Sequence, residues 1–335
     1  MKNKLFLLLA AWLFACESVE VRKQRFLQKG NEAMEQKNYG EAIRQFEAAV
    51  KLDSCYTDAL NNWGTALHRQ KYYAEAAEKY SLALTCNPGF LLALLNRANT
   101  YFELQRYDLS LRDAESAIRL RDTLPAYFVK GLALAKAGRY AEAAQAYRKV
   151  LLLDTAHTEG RINLAVALYY QGKYDSARMI VEDVVRWSAQ KADAWNTLSM
   201  IAAAEGKYEE AMQYIQRAID IDPSNSWYVN NRGYIHLLRG ETDKALADIN
   251  QSIAADPVNA WAYRNKGIYY LLAGEYDTAI RLFKQAVEMD AFIEDVYAYL
   301  AEAHLLAGNE AEACRAYKES NARNEARRLL VQTCK

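Results

Sequence analysis

Histidine and cysteine are the side chains most able to do chemistry in this 335-residue chain, which has four of the first and five of the second. The histidines are His68, His157, His236 and His304. None of them stands at metal-ligand spacing from a cysteine or a carboxylate. No phosphate-binding loop, nucleophile elbow or pair of catalytic carboxylates is recognisable. We therefore expect no catalytic residue, no metal and no cofactor, and we predict that the protein is not an enzyme.

A row of asparagines has spacing suited to holding a polypeptide. The row consists of Asn62, Asn96, Asn163, Asn231 and Asn265, which lie about 34 residues apart or a multiple of that. A side-chain amide both donates and accepts, so such a row can bond the backbone of an extended peptide whatever its sequence. Arg161 and Arg264 add donors that could pair with carboxylates of a partner. A purely structural role, in which each amide bonds the neighbouring helix, is the alternative.

Pairs of apolar residues follow several of these asparagines. They are Tyr169-Tyr170, Leu237-Leu238, Leu271-Leu272 and Leu305-Leu306. Where solvent is expected, such pairs predict a surface for an apolar peptide, a partner helix or a second copy of the chain in a homo-oligomer. We take Tyr169, Tyr170, Leu237, Leu271 and Leu305 as candidate contacts. Packing that hides one leucine of each pair is the alternative.

The elements that must position these side chains follow from two columns of small residues with the same period. The first column is Gly30, Gly64, Ala98, Gly131, Ala165, Ser199, Gly233, Gly267 and Ala301, and the second is Ala42, Ala76, Ser110, Ala143, Ala177, Ala211, Ala245, Ala279 and Ala313. Where two helices approach most closely there is room for little more than a methyl group. The columns therefore predict two packed helices per unit.

The columns and the residues around them resemble the tetratricopeptide repeat. The motif residues are Trp195 with Leu198, Ala42 with Phe46, Ala279 with Phe283, and tyrosines such as Tyr39 and Tyr73 three residues before the second column. The resemblance implies an all-α, right-handed superhelical solenoid of about nine helix-turn-helix units. Their predicted starts are Lys23, Thr57, Leu91, Leu124, Thr158, Ala192, Ser226, Ala260 and Glu294. In this family the first helices line a concave surface that binds partner proteins or peptides.

One residue position marks the turn between the two helices of each unit. Glycine occupies it in the last six units, at Gly138, Gly172, Gly206, Gly240, Gly274 and Gly308. A residue in the left-handed conformation ends a helix there, and glycine adopts it without steric cost. The first three units have Lys37, Lys71 and Gln105 at this position.

The N-terminus predicts export. Lys2 and Lys4 precede an apolar run from Leu5 to Ala15, which Cys16 follows. The run is shorter than the roughly 20 apolar residues that span a bilayer. Residues 13–16, Leu-Phe-Ala-Cys, resemble the bacterial lipobox, which implies cleavage before Cys16 and a lipid on its sulfur. An ordinary cleaved signal and an uncleaved anchor are the alternatives.

The expected organisation is a signal peptide over 1–15, a tether over 16–22, repeats over 23–323 and a C-terminal cap over 324–335. The expected location is the bacterial cell envelope, with the chain lipid-anchored, most readily in the outer membrane facing the periplasm or the cell surface. Four further cysteines suit an oxidising compartment, and we favour the local pairs Cys55–Cys86 and Cys314–Cys334 over free thiols.

Composition narrows the class of partner. Forty-two basic and forty-two acidic residues give a formal net charge of zero, which argues against a nucleic-acid-binding face. We expect a non-enzymatic scaffold of the cell envelope that binds partner proteins or peptides in the concave groove and assists assembly of envelope complexes. The alternative is a periplasmic carrier or chaperone for apolar polypeptide or lipid, using the leucine-lined C-terminal part.

Overall fold

The computed structural model describes residues 18–323 together with residues 325 and 334. Over these residues the chain forms eighteen α-helices and no strand, which confirms the predicted all-α fold. The helices are α1 (Val19–Glu35), α2 (Tyr39–Leu52), α3 (Thr57–Arg69), α4 (Tyr73–Cys86), α5 (Leu91–Glu103), α6 (Tyr107–Leu120), α7 (Leu124–Lys136), α8 (Tyr140–Leu153), α9 (Thr158–Tyr169), α10 (Tyr174–Trp187), α11 (Ala192–Ala204), α12 (Tyr208–Ile221), α13 (Ser226–Leu238), α14 (Thr242–Ala255), α15 (Ala260–Leu272), α16 (Tyr276–Met289), α17 (Val296–Leu306) and α18 (Glu310–Ala322).

The chain divides into two compact units at the turn after His157. Unit 1 contains α1 to α8 and unit 2 contains α9 to α18. Within each unit every helix packs against the next, and each odd-numbered helix also contacts the next odd-numbered helix. In each unit the odd-numbered helices are therefore the first helices of the repeats and form one layer, against which the even-numbered helices pack.

Seven of the nine predicted repeat starts coincide with the first residue of a helix. The two exceptions are at the ends of the row. Helix α1 begins early, at Val19, and α17 begins at Val296, two residues after Glu294. Asp295 explains the second shift, because its left-handed backbone (φ 56°) cannot continue a helix.

Four of the five glycines in the first small column face a large aromatic residue on the second helix of the repeat, while Gly233 faces Ile249. A Cβ placed on Gly64 would lie 2.7 Å from Cε1 of Tyr80, and one on Gly131 would lie 2.5 Å from Cε1 of Tyr147. In the third repeat the column holds Ala98 instead, and its partner in the core is the small Ala114. Each repeat thus divides a fixed space between two side chains, which is the constraint of a closely packed interior.

The turns inside the repeats adopt the predicted left-handed conformation. Gly138 has a φ of 70°, and Lys37 and Lys71 have values of 57° and 66°. The turns between repeats share a second device that the sequence analysis did not predict. Asp53 accepts a hydrogen bond from the backbone N–H of Cys55, two residues later, at 3.1 Å. Asp222, Asp290 and other residues at the same position in later turns accept the equivalent bond from the backbone N–H two residues after them.

Two disulfides stand where the local pairs were predicted. Cys55, in the turn after α2, is bonded to Cys86 at the end of α4, with Cα atoms 5.5 Å apart. Cys314 of α18 is bonded to Cys334, with Cα atoms 5.4 Å apart. The first bond ties two adjacent inter-repeat turns together, and the second ties the end of the chain to the last helix.

Arg323 and Glu325, which follow α18, contact the last repeat. The Arg323 guanidinium lies 4.7 Å from the ring centre of Tyr297 and 5.0 Å from that of Phe292. Glu325 Oε2 accepts a hydrogen bond from the backbone N–H of Ala298 at 2.7 Å, near the start of α17. Both contacts act as a cap. Most of the expected cap, the expected signal peptide and Cys16 lie outside the described residues.

Replacing Gly64 with alanine tests the close-approach constraint, with Gly40→Ala as its matched control. We expect Gly64→Ala to lower the free energy of unfolding by about 1–3 kcal/mol, because the new methyl group overlaps the Tyr80 ring. A Cβ on Gly40, in α2, meets no atom within 4 Å, so Gly40→Ala should be neutral or slightly stabilising. Circular dichroism during denaturant unfolding measures both. Equal stability of the two variants would contradict the constraint.

Candidate partner-binding surface

In unit 1 the asparagines of the first helices form one connected row of hydrogen bonds. Asn96 Nδ2 donates to Asn61 Oδ1 at 2.9 Å, Asn61 Nδ2 donates to Asn62 Oδ1 at 3.1 Å, and Asn62 Nδ2 donates to Asn31 Oδ1 at 2.8 Å. The row crosses α5, α3 and α1. We call it the unit 1 amide ladder. Asn31 is exposed and Asn62 and Asn96 are half-buried, so three of its four residues reach solvent.

Unit 2 contains a second row with the same geometry, the unit 2 amide ladder. Arg264 Nε donates to Asn265 Oδ1 at 3.1 Å, and Asn265 Nδ2 donates to Asn230 Oδ1 at 3.0 Å. The row continues from Asn230 to Asn231 at 3.5 Å and from Asn231 to Asn196 at 2.8 Å. Here Asn230 and Asn265 are buried.

The two ladders show that the amides do bond the neighbouring helices, which was the structural alternative. The predicted row contained Asn62, Asn96, Asn231 and Asn265, and it missed four other members of the ladders, namely Asn31, Asn61, Asn196 and Asn230. The signal was present as the adjacent pairs Asn61-Asn62 and Asn230-Asn231. In unit 1 the ladder leaves some hydrogen-bonding groups of the amides unused. Asn62 uses one of its two N–H groups and one of its two lone pairs in the ladder.

Arg264, predicted to face a partner, is instead part of the core of unit 2. Its side chain is 3% exposed, and its guanidinium lies 4.7 Å from the ring centre of Trp261 and 4.9 Å from that of Tyr234. Nη1 donates to the backbone carbonyl of Glu294 at 2.9 Å. A buried guanidinium is tolerated only when its donors and its charge are satisfied in this way. Arg264 and the buried Asn265 are therefore not available to a partner.

Side chains from distant repeats of unit 2 meet beside Arg264. Burial raises the pKa of the Glu294 carboxyl to about 7, against the opposing effect of the Arg264 charge. Burial also raises the pKa of Tyr169 well above its usual value, and the negative charge of Glu294 adds to the rise. Tyr169 ends α9 and Glu294 precedes α17, so the first-helix layer of unit 2 brings its own polar and aromatic side chains together at this point.

The leucines predicted to line a groove in unit 2 are largely in its core. Leu237 is 5% exposed and Leu271 is 7% exposed, and the half-buried Leu305 packs against the same hydrophobic cluster. This corrects the expectation of a leucine-lined groove. The second leucines behave differently, since Leu272 is 62% exposed and Leu306 is 50% exposed. Packing that hides one leucine of a pair is therefore what the last two pairs show.

The other predicted contacts of unit 2 lie on or next to α9. Asn163 is half-buried, and the guanidinium of Arg161 lies 4.7 Å from the ring centre of Trp187. The rings of Tyr169 and Tyr170 pack edge to face with centres 5.0 Å apart. Arg161, Tyr169 and Tyr170 are thus held against aromatic side chains.

Two of the four histidines, His68 and His236, contact polar side chains. His68 Nδ1 lies 2.9 Å from Thr100 Oγ1, and His236 Nδ1 lies 2.6 Å from Glu241 Oε2. Within the part of the chain that the structure describes, no three histidine, cysteine or acidic side chains are grouped to hold a metal ion. Over the same residues, no helix is both long and apolar enough to cross a membrane.

Comparison with known proteins agrees with this architecture. A family model described as tetratricopeptide repeat matches residues 27–89, 95–157, 162–226 and 264–326, and a second model of the same description matches residues 224–291. The structure of PilF from Pseudomonas aeruginosa superposes with a TM-score of 0.54 at 18% identity, over 63% of this chain and 97% of PilF.

Two curated relatives share part of the sequence. The chain is 29% identical over 116 residues to the small glutamine-rich tetratricopeptide repeat-containing protein 2 of Mycosarcoma maydis, which covers 34% of this chain and 33% of that protein. It is 36% identical over 99 residues to the protein of the same name from Saccharomyces cerevisiae, or 28% of each chain. The chain thus spans a third or less of these relatives.

The family models match well over half of the sequence, and the helix pairs, small columns and left-handed turns provide the physical basis of that match. The chain therefore belongs to the tetratricopeptide repeat family and has the architecture of a protein-interaction scaffold.

Proposed function

We propose that this protein is a lipid-anchored, non-enzymatic scaffold of the bacterial cell envelope that binds an extended segment of a partner protein along the first-helix layer of unit 1. The observation that carries the proposal is the unit 1 amide ladder, whose rungs are fixed by mutual hydrogen bonds yet still reach solvent. The envelope location rests on the sequence of the N-terminus.

The ladder supplies what a peptide backbone needs. Every residue of an extended peptide presents an N–H donor and a C=O acceptor. Asn62 retains one donor and one acceptor beyond its bonds to Asn61 and Asn31, and Asn99, on the same helix as Asn96, is exposed. Because the ladder already holds the amides in place, less side-chain entropy is lost when they bind a ligand.

The spacing of the repeats also suits an extended chain. Packed helices lie about 8–10 Å apart. A polypeptide in the extended polyproline II conformation advances about 3.1 Å per residue with three residues per turn, so every third residue of the ligand would meet an equivalent rung of the next repeat. Recognition of this kind depends on the backbone and tolerates many sequences, which suits a scaffold that assists assembly of several envelope proteins.

The alternative function, a carrier or chaperone for apolar polypeptide or lipid, required a leucine-lined groove in unit 2. Leu237 and Leu271 are buried in the hydrophobic core of that unit and cannot line such a groove. We therefore favour the scaffold over the carrier. Binding by unit 1 needs no apolar cavity, since amides provide its contacts.

Lipid anchoring in the envelope is supported by the sequence around Cys16 and by the cysteine pairs. Lys2, Lys4 and the apolar run to Ala15 match an exported chain, and disulfides such as Cys55–Cys86 persist in oxidising compartments. A short tether after Cys16 would keep unit 1, which follows it directly in sequence, close to the membrane.

Photo-cross-linking in intact cells tests the unit 1 surface. A photoreactive residue replacing Asn99, on α5, should form adducts with envelope proteins, whereas one replacing the exposed Glu78, on α4, should not. Adding Asn62→Ala and Asn96→Ala should lower the adduct yield roughly tenfold, because two sets of backbone hydrogen bonds are lost. Mass spectrometry identifies and counts the adducts.

The control for that experiment is Asn231→Ala, which removes a half-buried rung of the unit 2 amide ladder. This change should leave the adducts at Asn99 in place. Circular dichroism must show equal helix content in all variants. Adducts that persist in the Asn62/Asn96 variant and vanish with Asn231→Ala would reject unit 1 as the binding surface.

Replacement of Cys16 by serine tests the anchor. We expect the variant to move from the membrane fraction to the soluble fraction, because the residue that would carry the lipid is lost. Cys55→Ser is the matched control and should remain with the membrane. Fractionation followed by immunoblotting measures both. A Cys16→Ser chain that is cleaved normally and still sediments with membranes would show that the anchor is something else.

A further inference from the structure

The last two repeats expose leucine at a position that is charged throughout unit 1. Leu272, at the end of α15, is 62% exposed, and Leu306, at the end of α17, is 50% exposed. The equivalent residues of the first four repeats are Glu35, Arg69, Glu103 and Lys136. Two exposed leucines at one position of adjacent repeats form an apolar strip on the edge where the turns inside the repeats lie.

The turns that follow these leucines are acidic. Residues 272–278 include Glu275 and Asp277, residues 306–312 include Glu310 and Glu312, and neither segment contains lysine or arginine. Glu312 pairs with Arg315 at 2.8 Å. Glu275, Asp277 and Glu310 are exposed and form no ion pair within the described residues.

A surface depression joins the two turns. Its volume is about 510 Å³, and its lining includes Gly274, Glu275, Asp277 and Leu306. One wall is therefore apolar and the other carries two carboxylates. The nearest basic side chains along α16, Arg281 and Lys284, lie one and two turns beyond Asp277.

We propose that this acidic edge, defined by Leu272, Glu275, Asp277, Leu306 and Glu310, docks a basic segment of a partner protein. In that segment aliphatic residues recur at about every third position among lysines and arginines. The aliphatic side chains cover the two leucines. A long basic side chain enters the depression, with its methylene groups on Leu306 and its charge beside Asp277 and Glu275.

Charge and spacing select this occupant over others. Packed helices about 8–10 Å apart place equivalent leucines about one turn of a polyproline II segment from one another, and every third residue of such a segment lies on the same face. An anionic membrane would be repelled by the exposed carboxylates. A second copy of the chain placed by a two-fold axis would bring this acidic edge against itself. A basic, leucine-containing segment meets none of these obstacles.

The site is separate from the unit 1 amide ladder and does not depend on it. The test measures by fluorescence anisotropy how a short synthetic peptide binds to the full chain. The peptide has leucine at every third position and lysine elsewhere. We expect saturable binding that weakens as the salt concentration rises, since the peptide charge is screened. A peptide with glutamate in place of each lysine should not bind.

Two variants locate the binding site. The double change Leu272→Ser and Leu306→Ser should weaken peptide binding roughly tenfold or more, as two leucine contacts are lost while the charge of the edge is unchanged. The double change Glu275→Lys and Asp277→Lys, at exposed positions, should weaken peptide binding to a similar degree. It should also remove the salt dependence of the affinity. The matched control is Leu92→Ser in unit 1, where the leucine is 56% exposed, and it should leave the affinity unchanged.

Several results would overturn the proposal. One is equal affinity of the chain for the lysine and glutamate peptides, and another is loss of binding in Leu92→Ser. Flotation of the full chain with phosphatidylglycerol vesicles that depends on Leu272 and Leu306 would assign the edge to a membrane. Self-association that the Leu272/Leu306 variant abolishes would assign it to a second copy. A failed cross-link at Asn99 would leave the peptide-binding test unaffected. The acidic edge and the unit 1 surface are therefore tested separately.

Discussion

Every repeat depends on two helices that approach so closely that only glycine, alanine or serine fits between them. The ring of Tyr80 occupies the space that a Cβ on Gly64 would need, and Tyr147 does the same at Gly131. This contact fixes the rotation of each first helix about its own axis. The rotation in turn decides which residues face the neighbouring repeat and which face solvent. The amide ladders exist because the same rotation recurs in successive repeats.

The ladders connect stability with binding. In unit 1 the bond from Asn96 to Asn61 joins two repeats and also holds the amides in fixed orientations at a surface that solvent reaches. In unit 2 the same arrangement ends in the buried Arg264, and Asn265 and Asn230 are buried with it. One repeated motif therefore yields an accessible row of hydrogen-bonding groups in one unit and a partly buried network in the other.

The repeat register could be read from the sequence because each repeat obeys local rules. Small residues at helix contacts and left-handed residues at turns act over a few residues, and Thr57, Leu91 and Ala260 begin helices as predicted. Accessibility could not be read in the same way. Burial of Arg264 depends on Tyr234, Trp261 and Glu294, which belong to three different repeats.

The leucine pairs illustrate the same limit. Leu271 and Leu272 are adjacent and chemically identical, yet one is buried and the other is largely exposed. Adjacent residues on a helix point about 100° apart, and the neighbouring repeat covers only one of the two directions. A pattern of hydrophobicity identifies the pair, and only the packing of the next repeat separates the core residue from the surface residue.

Hydrogen–deuterium exchange of the full chain, with and without the partner identified by cross-linking, tests the central claim most directly. The account predicts slower exchange on binding in α1, α3 and α5, because the ligand stabilises the first helices of unit 1 against local opening. The even-numbered helices of unit 1 and the odd-numbered helices α11, α13 and α15 should change little. Protection of α11, α13 and α15 with none in α1, α3 and α5 would contradict it.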